Sequence, residues 1–548
     1  MTGLLIRGAR PVRFRSRSDL GRLRAAGAAA RAELGAPPAP GEPVDLRIKD
    51  GAVVEMGTGL ARHDGEELLD AGGAFLIPGL WDAHAHLDLE AARVARLDLG
   101  RTACVEDALE IVAAEAQRLR SATGAGAARG PALIQGFGHR LSHWPRMPSV
   151  TELDAVTGPI PTVLVSGDAH SGWVNSAALV LLGLPPATDA DPGAPLTEGE
   201  WFAALNRLDD IPGSRELVES GYRRALEDMA ARGITGVTDM TWGQDSPAWV
   251  ARLGRMSATG PLPGLPRIRV STYREGLEER ISAGLRTGDP LPDSPVGGDG
   301  AALLTQGPLK IISDGSMGTG TACLCSAYPA DLGLEHPHGV MSVGVGELVE
   351  LLGRAHEHGI AAAVHAIGDA ALIDVARAFA RTGARGRVEH AQLLPADATG
   401  PQGALTTLVR LGIELSIQPA HLIDDWAAVG KVWPGLESRS YAFADMAAAG
   451  GMLALGSDAP VAPLDPWLAM AAAVGRKTPD GSVWSPDQRL TAEEALAASV
   501  NGAGPVAVGS QADLVLLAED PLRLGAEELA GVRPVTTVVA GAVAHLHG

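Results

Sequence analysis

Cysteine and lysine are both scarce in this chain of 548 residues, and positive charge is outnumbered. Three cysteines, Cys104, Cys323 and Cys325, are odd in number and too few for a disulfide framework, which makes a reducing cytoplasm the simplest compartment. Only four of the 45 basic residues are lysine (Lys49, Lys310, Lys431 and Lys477), so a lysine inside an apolar strand raises a chemical question. The formal net charge of −20 argues against nucleic acid or an anionic membrane as the main partner, although "VRFRSRSDLGRLR" is locally basic. No apolar signal core follows that stretch, and no run approaches the ~18–20 uncharged apolar residues of a membrane span. A small-molecule substrate is the expected partner, and a homo-oligomer stays open.

What is present reads as a folded protein: 46% of residues are hydrophobic and 20% charged, with abundant glycine and proline. Both chain ends are strand-like, as in "GLLIRGARP", "VDLRIKDGAVVEMG", "ADLVLLAED" and "VTTVVAGAVAHL". Residues 1–72 and 500–548 are therefore expected to join in one small β-sandwich domain, with an irregular insertion around 11–44. Between them stand eight short apolar runs: "AFLIPG" (74–79), "GVTDMT" (236–241), "RIRVST" (267–272), "LKIISD" (309–314), "AAVHAI" (362–367), "VEHA" (388–391), "ELSIQ" (414–418) and "LALGSD" (453–458). Helical stretches separate most of them, which predicts an α/β fold, a parallel TIM-type (β/α)8 barrel over 73–499. The span 91–230, with strand-like "ALIQGFG" and "TVLVSGDAH", is long enough to be an inserted subdomain.

Catalytic groups of such a barrel sit at the C-terminal ends of its strands. There the sequence places His84 and His86 in "WDAHAHLDLE", Lys310, His365, His390 and Asp458. Four histidines and a carboxylate suit a borderline divalent metal, Zn2+ first, as one or two ions. Lys310 has two readings: an ion pair with Asp314 or another nearby acid, or carboxylation by CO2 to a bridging carbamate. Spacing alone decides little. His356 and His358 repeat the His-x-His pattern in a helical stretch, where residues two apart diverge by about 200° and cannot share a metal.

The segments "IPGLWDAHAHLD", "GDAHSGWVNSAAL", "LKIISDGSMG", "AAVHAIGDAAL", "RVEHAQLL", "LSIQPAH" and "LALGSDAPVAPLDPW" together resemble the amidohydrolase superfamily. The resemblance covers about residues 70 to 520 and is nearest to the YtcJ-like branch, the branch of N-substituted formamide deformylase. It implies that His84, His86, His365 and His390 are metal ligands, Lys310 the bridging lysine, and Asp458 both ligand and general base. It further implies that His421 assists at the oxyanion, that Gln418 and Asp425 face substrate, and that Asp168, His170, Trp173 and Asn175 line the pocket. The implied activity is hydrolysis of a carbon–nitrogen bond in a non-peptide amide, N-formyl or N-acyl, by metal-activated hydroxide. Deamination of a small heterocycle and lactone or ester hydrolysis are the enzymatic alternatives; a catalytically inactive barrel serving as scaffold or binding protein is the non-enzymatic one. The chain departs from the branch at Gly320, where an arginine is usual, and at "GFGHRLSHW", which offers His139, Arg140 and His143. None of these departures touches a ligand candidate, so they put the substrate pocket in question rather than the metal chemistry.

Overall fold

The computed structural model describes every residue except 1–2, 27–33, 35, 124–131, 140, 142–143, 167–170, 189, 206, 244–245, 259–263 and 548. The chain divides into two compact units, Met1–Leu87 with Leu226–Gly548, and Asp88–Ala225. The larger unit carries an eight-stranded parallel sheet in chain order: β1 (Leu80–Ala85), β2 (Ile234–Asp239), β3 (Arg267–Thr272), β4 (Leu304–Ile312), β5 (Ala362–Ala366), β6 (Gly386–His390), β7 (Glu414–Ile417) and β8 (Leu453–Leu455). The segment after β8 brings the ends of the sheet together. The Asp458 N–H donates to the His84 carbonyl at 2.7 Å, and the His86 N–H to the Ala459 carbonyl at 2.8 Å. Residues almost four hundred positions apart thus lie side by side.

Strands covered on both faces read as continuous apolar runs, and β5 shows why: Ala362, Ala363 and Val364 are all buried. The helices that cover them are amphipathic. Val345–Glu357 buries Leu348, Leu352 and Ala355, and Asp369–Thr382 buries Leu372, Val375, Ala376 and Phe379, spacings that keep each set on one helical face.

One sequence expectation needs correction. The run 74–79 is not the first barrel strand. Phe75–Pro78 pairs instead with Leu514–Leu517 in a second sheet, and the barrel begins two residues later at Leu80. Gly79 makes the handover possible, because a Cβ there would fall 2.0 Å from Thr235 Oγ1 on the neighbouring β2. This second sheet also has eight strands, drawn from both chain ends: Leu4–Pro11, Val44–Lys49, Ala52–Gly57, Glu67–Asp70, Phe75–Pro78, Leu514–Leu517, Thr536–Val539 and Ala542–Leu546. Leu4, Ile6, Leu46, Leu76, Leu514 and Val538 form its core.

The smaller unit has a five-stranded sheet of Leu196–Thr197, Ser171–Val174, Thr162–Ser166, Ile134–His139 and Leu97–Asp98, in that order. Among the described residues no helix is long and apolar enough to cross a membrane.

Candidate metal centre

Alternation along a strand puts residues two apart on one face, so Asp82 and His84 of β1 point the same way, as do Arg387 and Glu389 of β6. His84 is fully buried. Its Nδ1 lies 2.8 Å from Glu389 Oε2, while Nε2 lies 3.4 Å from Asp458 Oδ1 and 3.5 Å from Lys310 Nζ. A carboxylate can only accept, so Nδ1 carries the ring proton and Nε2 keeps its lone pair. His86 Nε2 faces the same Asp458 Oδ1 at 3.3 Å. Beneath them Asp82 accepts the backbone N–H of His84 at 3.0 Å and of Ser457 at 3.1 Å, tying β1 to the segment that carries Asp458.

Strict alternation would send His390 to the face opposite Glu389. The backbone prevents this by turning left-handed at the strand end, with φ of 72° at His390 and 45° at Ala391. The His390 ring thereby comes within 5.1 Å of the His84 ring and 4.6 Å of the His365 ring, centroid to centroid. Asp458 adopts the same left-handed region, with φ of 57°. Each such residue costs of order 1 kcal/mol or more, and non-glycine residues held there cluster at functional sites. The outcome is a group of His84, His390 and Asp458 whose ligand-type atoms all lie within 4.8 Å of one another.

Lys310 is buried on β4, and of the nearby acids Glu389 and Asp458, rather than Asp314, are the ones that act on its charge. The Asp314 carboxylate instead accepts the backbone N–H groups of Cys323, Ile367 and Gly368 at 2.9 to 3.1 Å. It also lies 3.4 Å from His365 Nε2, which is 3.3 Å from the Gly315 carbonyl. A proton on His365 Nε2 is thus shared with these acceptors, and Nδ1 keeps the lone pair. His421, just after β7, places Nε2 at 3.7 Å from Asp458 Oδ2.

Electrostatics keep these groups in metal-binding form. Burial, then the Lys310 charge, pushes the His84 imidazole down to about 4, and burial and the neighbouring His365 hold His390 well below its ordinary value. Burial likewise lowers Lys310, against the pull of Glu389 and Asp458. For Asp458, burial raises the carboxyl, but His84, His86, His390 and His421 outweigh it and hold the group well below the carboxylate range. His84 and His390 are therefore neutral imidazoles and Asp458 an ionised carboxylate at neutral pH, the donor states a divalent cation needs. His390 Nδ1 and His421 Nε2 are moreover buried with no hydrogen-bond partner. The residues fit a metal.

The sequence profile of the amidohydrolase family matches residues 67–545. The chain belongs to the amidohydrolase family. Among its relatives in that family are the putative amidohydrolase YtcJ of Bacillus subtilis, 25% identical over 87% of this chain and 90% of that protein. The N-substituted formamide deformylase of Arthrobacter pascens is 26% identical over 90% of this chain and 93% of its own length. An uncharacterized metal-dependent hydrolase of Pyrococcus horikoshii superposes with a TM-score of 0.70 at 25% identity, covering 96% of this chain and 99% of that one.

Several side chains expected to face substrate do other work. Trp173 is fully buried in the smaller unit, where it donates to the Ser149 carbonyl at 2.8 Å and packs edge-on against Trp144. Asn175 caps helix Ser176–Leu181 by accepting from the Ala178 N–H, and its amide donates to Thr157 Oγ1 and the Ile160 carbonyl. The side-chain polar atoms of both are thus hydrogen-bonded within that unit. Asp425 accepts from the Tyr441 hydroxyl, and burial raises its carboxyl. Gln418 is buried, with Nε2 reaching Ser416 at 3.4 Å and Oε1 without a partner. His139 is buried and stacks on Trp144. Asp168, His170, Arg140 and His143 lie outside the described residues. Sequence reasoning passed over Asp82, Arg387 and Glu389. The period of two in "DAH" and "RVE" was the available signal.

Proposed function

We propose that this amidohydrolase is a divalent-metal-dependent hydrolase that cleaves the carbon–nitrogen bond of a non-peptide amide, with N-formyl or N-acyl amines as the substrate class. The observation that carries the reading is the convergence of His84, His390 and Asp458 within 4.8 Å, in metal-binding protonation states. The formamide deformylase among its relatives favours the amide over the lactone or heterocycle. His84, His86, His365, His390, Lys310 and Asp458 would hold the metal, and an imidazole-rich set of this kind favours Zn2+. When bound there, the ion supplies Lewis acidity and lowers the pKa of the attacking water towards ~7.

The remaining chemistry belongs to the chain. Asp458, ionised and among four imidazoles, takes a proton from the water whose oxygen adds to the carbonyl carbon. It returns that proton to the nitrogen as the C–N bond breaks, leaving an acid and a free amine. His421, beside Asp458, donates a hydrogen bond to the carbonyl oxygen as charge gathers on it. Burial favours the neutral amine of Lys310. That is the form that attacks CO2, releasing a proton and giving a carbamate whose oxygens add to the donor set.

The test is a screen of metal-loaded protein against N-formyl, N-acyl, lactone and cyclic-amidine compounds. Release of amine from the first two classes is the expected result. Turnover of lactones or amidines alone would move the protein to the corresponding alternative.

A further inference from the structure

Glu389 and Arg387 are not ligand candidates, yet they are built into the centre. Both are buried, and Glu389 has no exposure at all. Its two oxygens are divided between two partners: Oε2 accepts from His84 Nδ1 at 2.8 Å, and Oε1 pairs by charge with Arg387 Nε at 2.5 Å, in a geometry that is not that of a hydrogen bond. Arg387 then crosses to β1, where its Nη2 donates to the carbonyl of Ala83, the residue before His84. The result is a closed circuit. It runs from the backbone of β1 through Arg387 and Glu389 to the imidazole of His84. Turning the carboxylate would break its contacts with both His84 and Arg387, and turning the ring would break its hydrogen bond to Glu389.

A structural ion pair would need only Arg387 and Glu389. The second carboxylate oxygen does something an ion pair does not require, because it selects a tautomer. Neutral imidazole free in water prefers its proton on the ε nitrogen. At His84 that choice would block the very atom that faces Asp458 and Lys310. From this geometry we infer that Glu389, anchored by Arg387, is a positioning residue that holds His84 as the Nδ1–H tautomer with Nε2 directed at the metal. This rests on His84 being a ligand.

The inference predicts distinct behaviour for two variants of the full chain, stripped of metal and titrated with Zn2+ against a competing chelator and with Co2+ by absorption. Glu389→Gln removes the charge and lets an amide NH2 face Nδ1, so the proton moves to Nε2. Zn2+ affinity should fall about 10- to 100-fold and the Co2+ spectrum should change. Because this leaves Arg387 buried opposite a neutral group, Glu389→Asp is the companion. It keeps the pair with Arg387 but is one methylene too short to reach His84, so it should keep the fold and lose affinity to a similar extent. If either variant is folded and binds Zn2+ within twofold of wild type, with an unchanged Co2+ spectrum, the positioning role is wrong. If wild type itself takes up neither metal, the metal reading fails and takes this inference with it.

Discussion

Acid should weaken the metal-free protein through its buried imidazoles, His84 and His390, and the share of His84 can be isolated. Burial and the Lys310 charge hold its imidazole at about 4 against the ordinary 6.5. Between these values the unfolded chain binds a proton that the folded chain refuses, so stability rises with pH across the window and is lost as pH falls through it. At ~1.4 kcal/mol per pH unit the whole window is worth about 3 kcal/mol, and about 2 kcal/mol of that falls between pH 6.5 and 5. Asp82 works in the opposite sense. Burial raises its carboxyl to about 6 from 3.8, so the folded chain takes up that proton first and acid favours folding there. Asp82 offsets part of what His84 and His390 contribute in the intact protein, so a bare pH profile would not separate them. His84→Asn removes the His84 titration and keeps the others, so the difference between the two proteins isolates that imidazole. The assay is urea unfolding of chelator-treated wild type and variant at pH 7 and pH 5. Wild type should lose about 2 kcal/mol more than the variant over that interval. Parallel losses would refute the claim that a buried, neutral His84 waits for metal.

Asp458→Asn should lower kcat by roughly 10²- to 10⁴-fold while the protein still takes up metal, as measured by steady-state kinetics beside elemental analysis. Undiminished turnover would remove Asp458 as the base. Protein loaded in labelled bicarbonate should show a carbamate carbon resonance that Lys310→Arg lacks; a bare amine in metal-loaded wild type would contradict carboxylation. Gly456 follows β8 directly against His84, and a Cβ there would lie 2.7 Å from the His84 nitrogen and 2.9 Å from its Cβ. Gly456→Ala should therefore cost about 1–3 kcal/mol in urea unfolding and weaken metal binding.

Most of the barrel was legible because short apolar runs buried on both faces stand out between amphipathic helices, as β5 and the helix after it show. The first strand was misplaced because "AFLIPGLWDAHA" is one apolar run that serves two sheets, and only the approach of Gly79 to Thr235 reveals the break. His84, His86, Lys310 and Asp458 could be assembled from strand ends, since a barrel gathers those ends on one rim. Glu389 could not. Its neighbour His390 drew attention, and strict alternation says that adjacent residues face apart. The left-handed turn at His390 that brings both to the centre has no signature in residue type. Trp173 and Asn175 show packing and capping roles in the smaller unit that residue type alone does not announce.

The central claim is metal-dependent hydrolysis at the centre built by His84, His390 and Asp458. Its most direct test is the metal content of protein purified without chelator, measured beside turnover of an N-formyl amine before stripping, after stripping and after reloading. At least one equivalent of Zn, Mn or Fe, with activity lost on stripping and restored on reloading, is the predicted result. Metal well below one equivalent, with turnover that survives stripping, would contradict it.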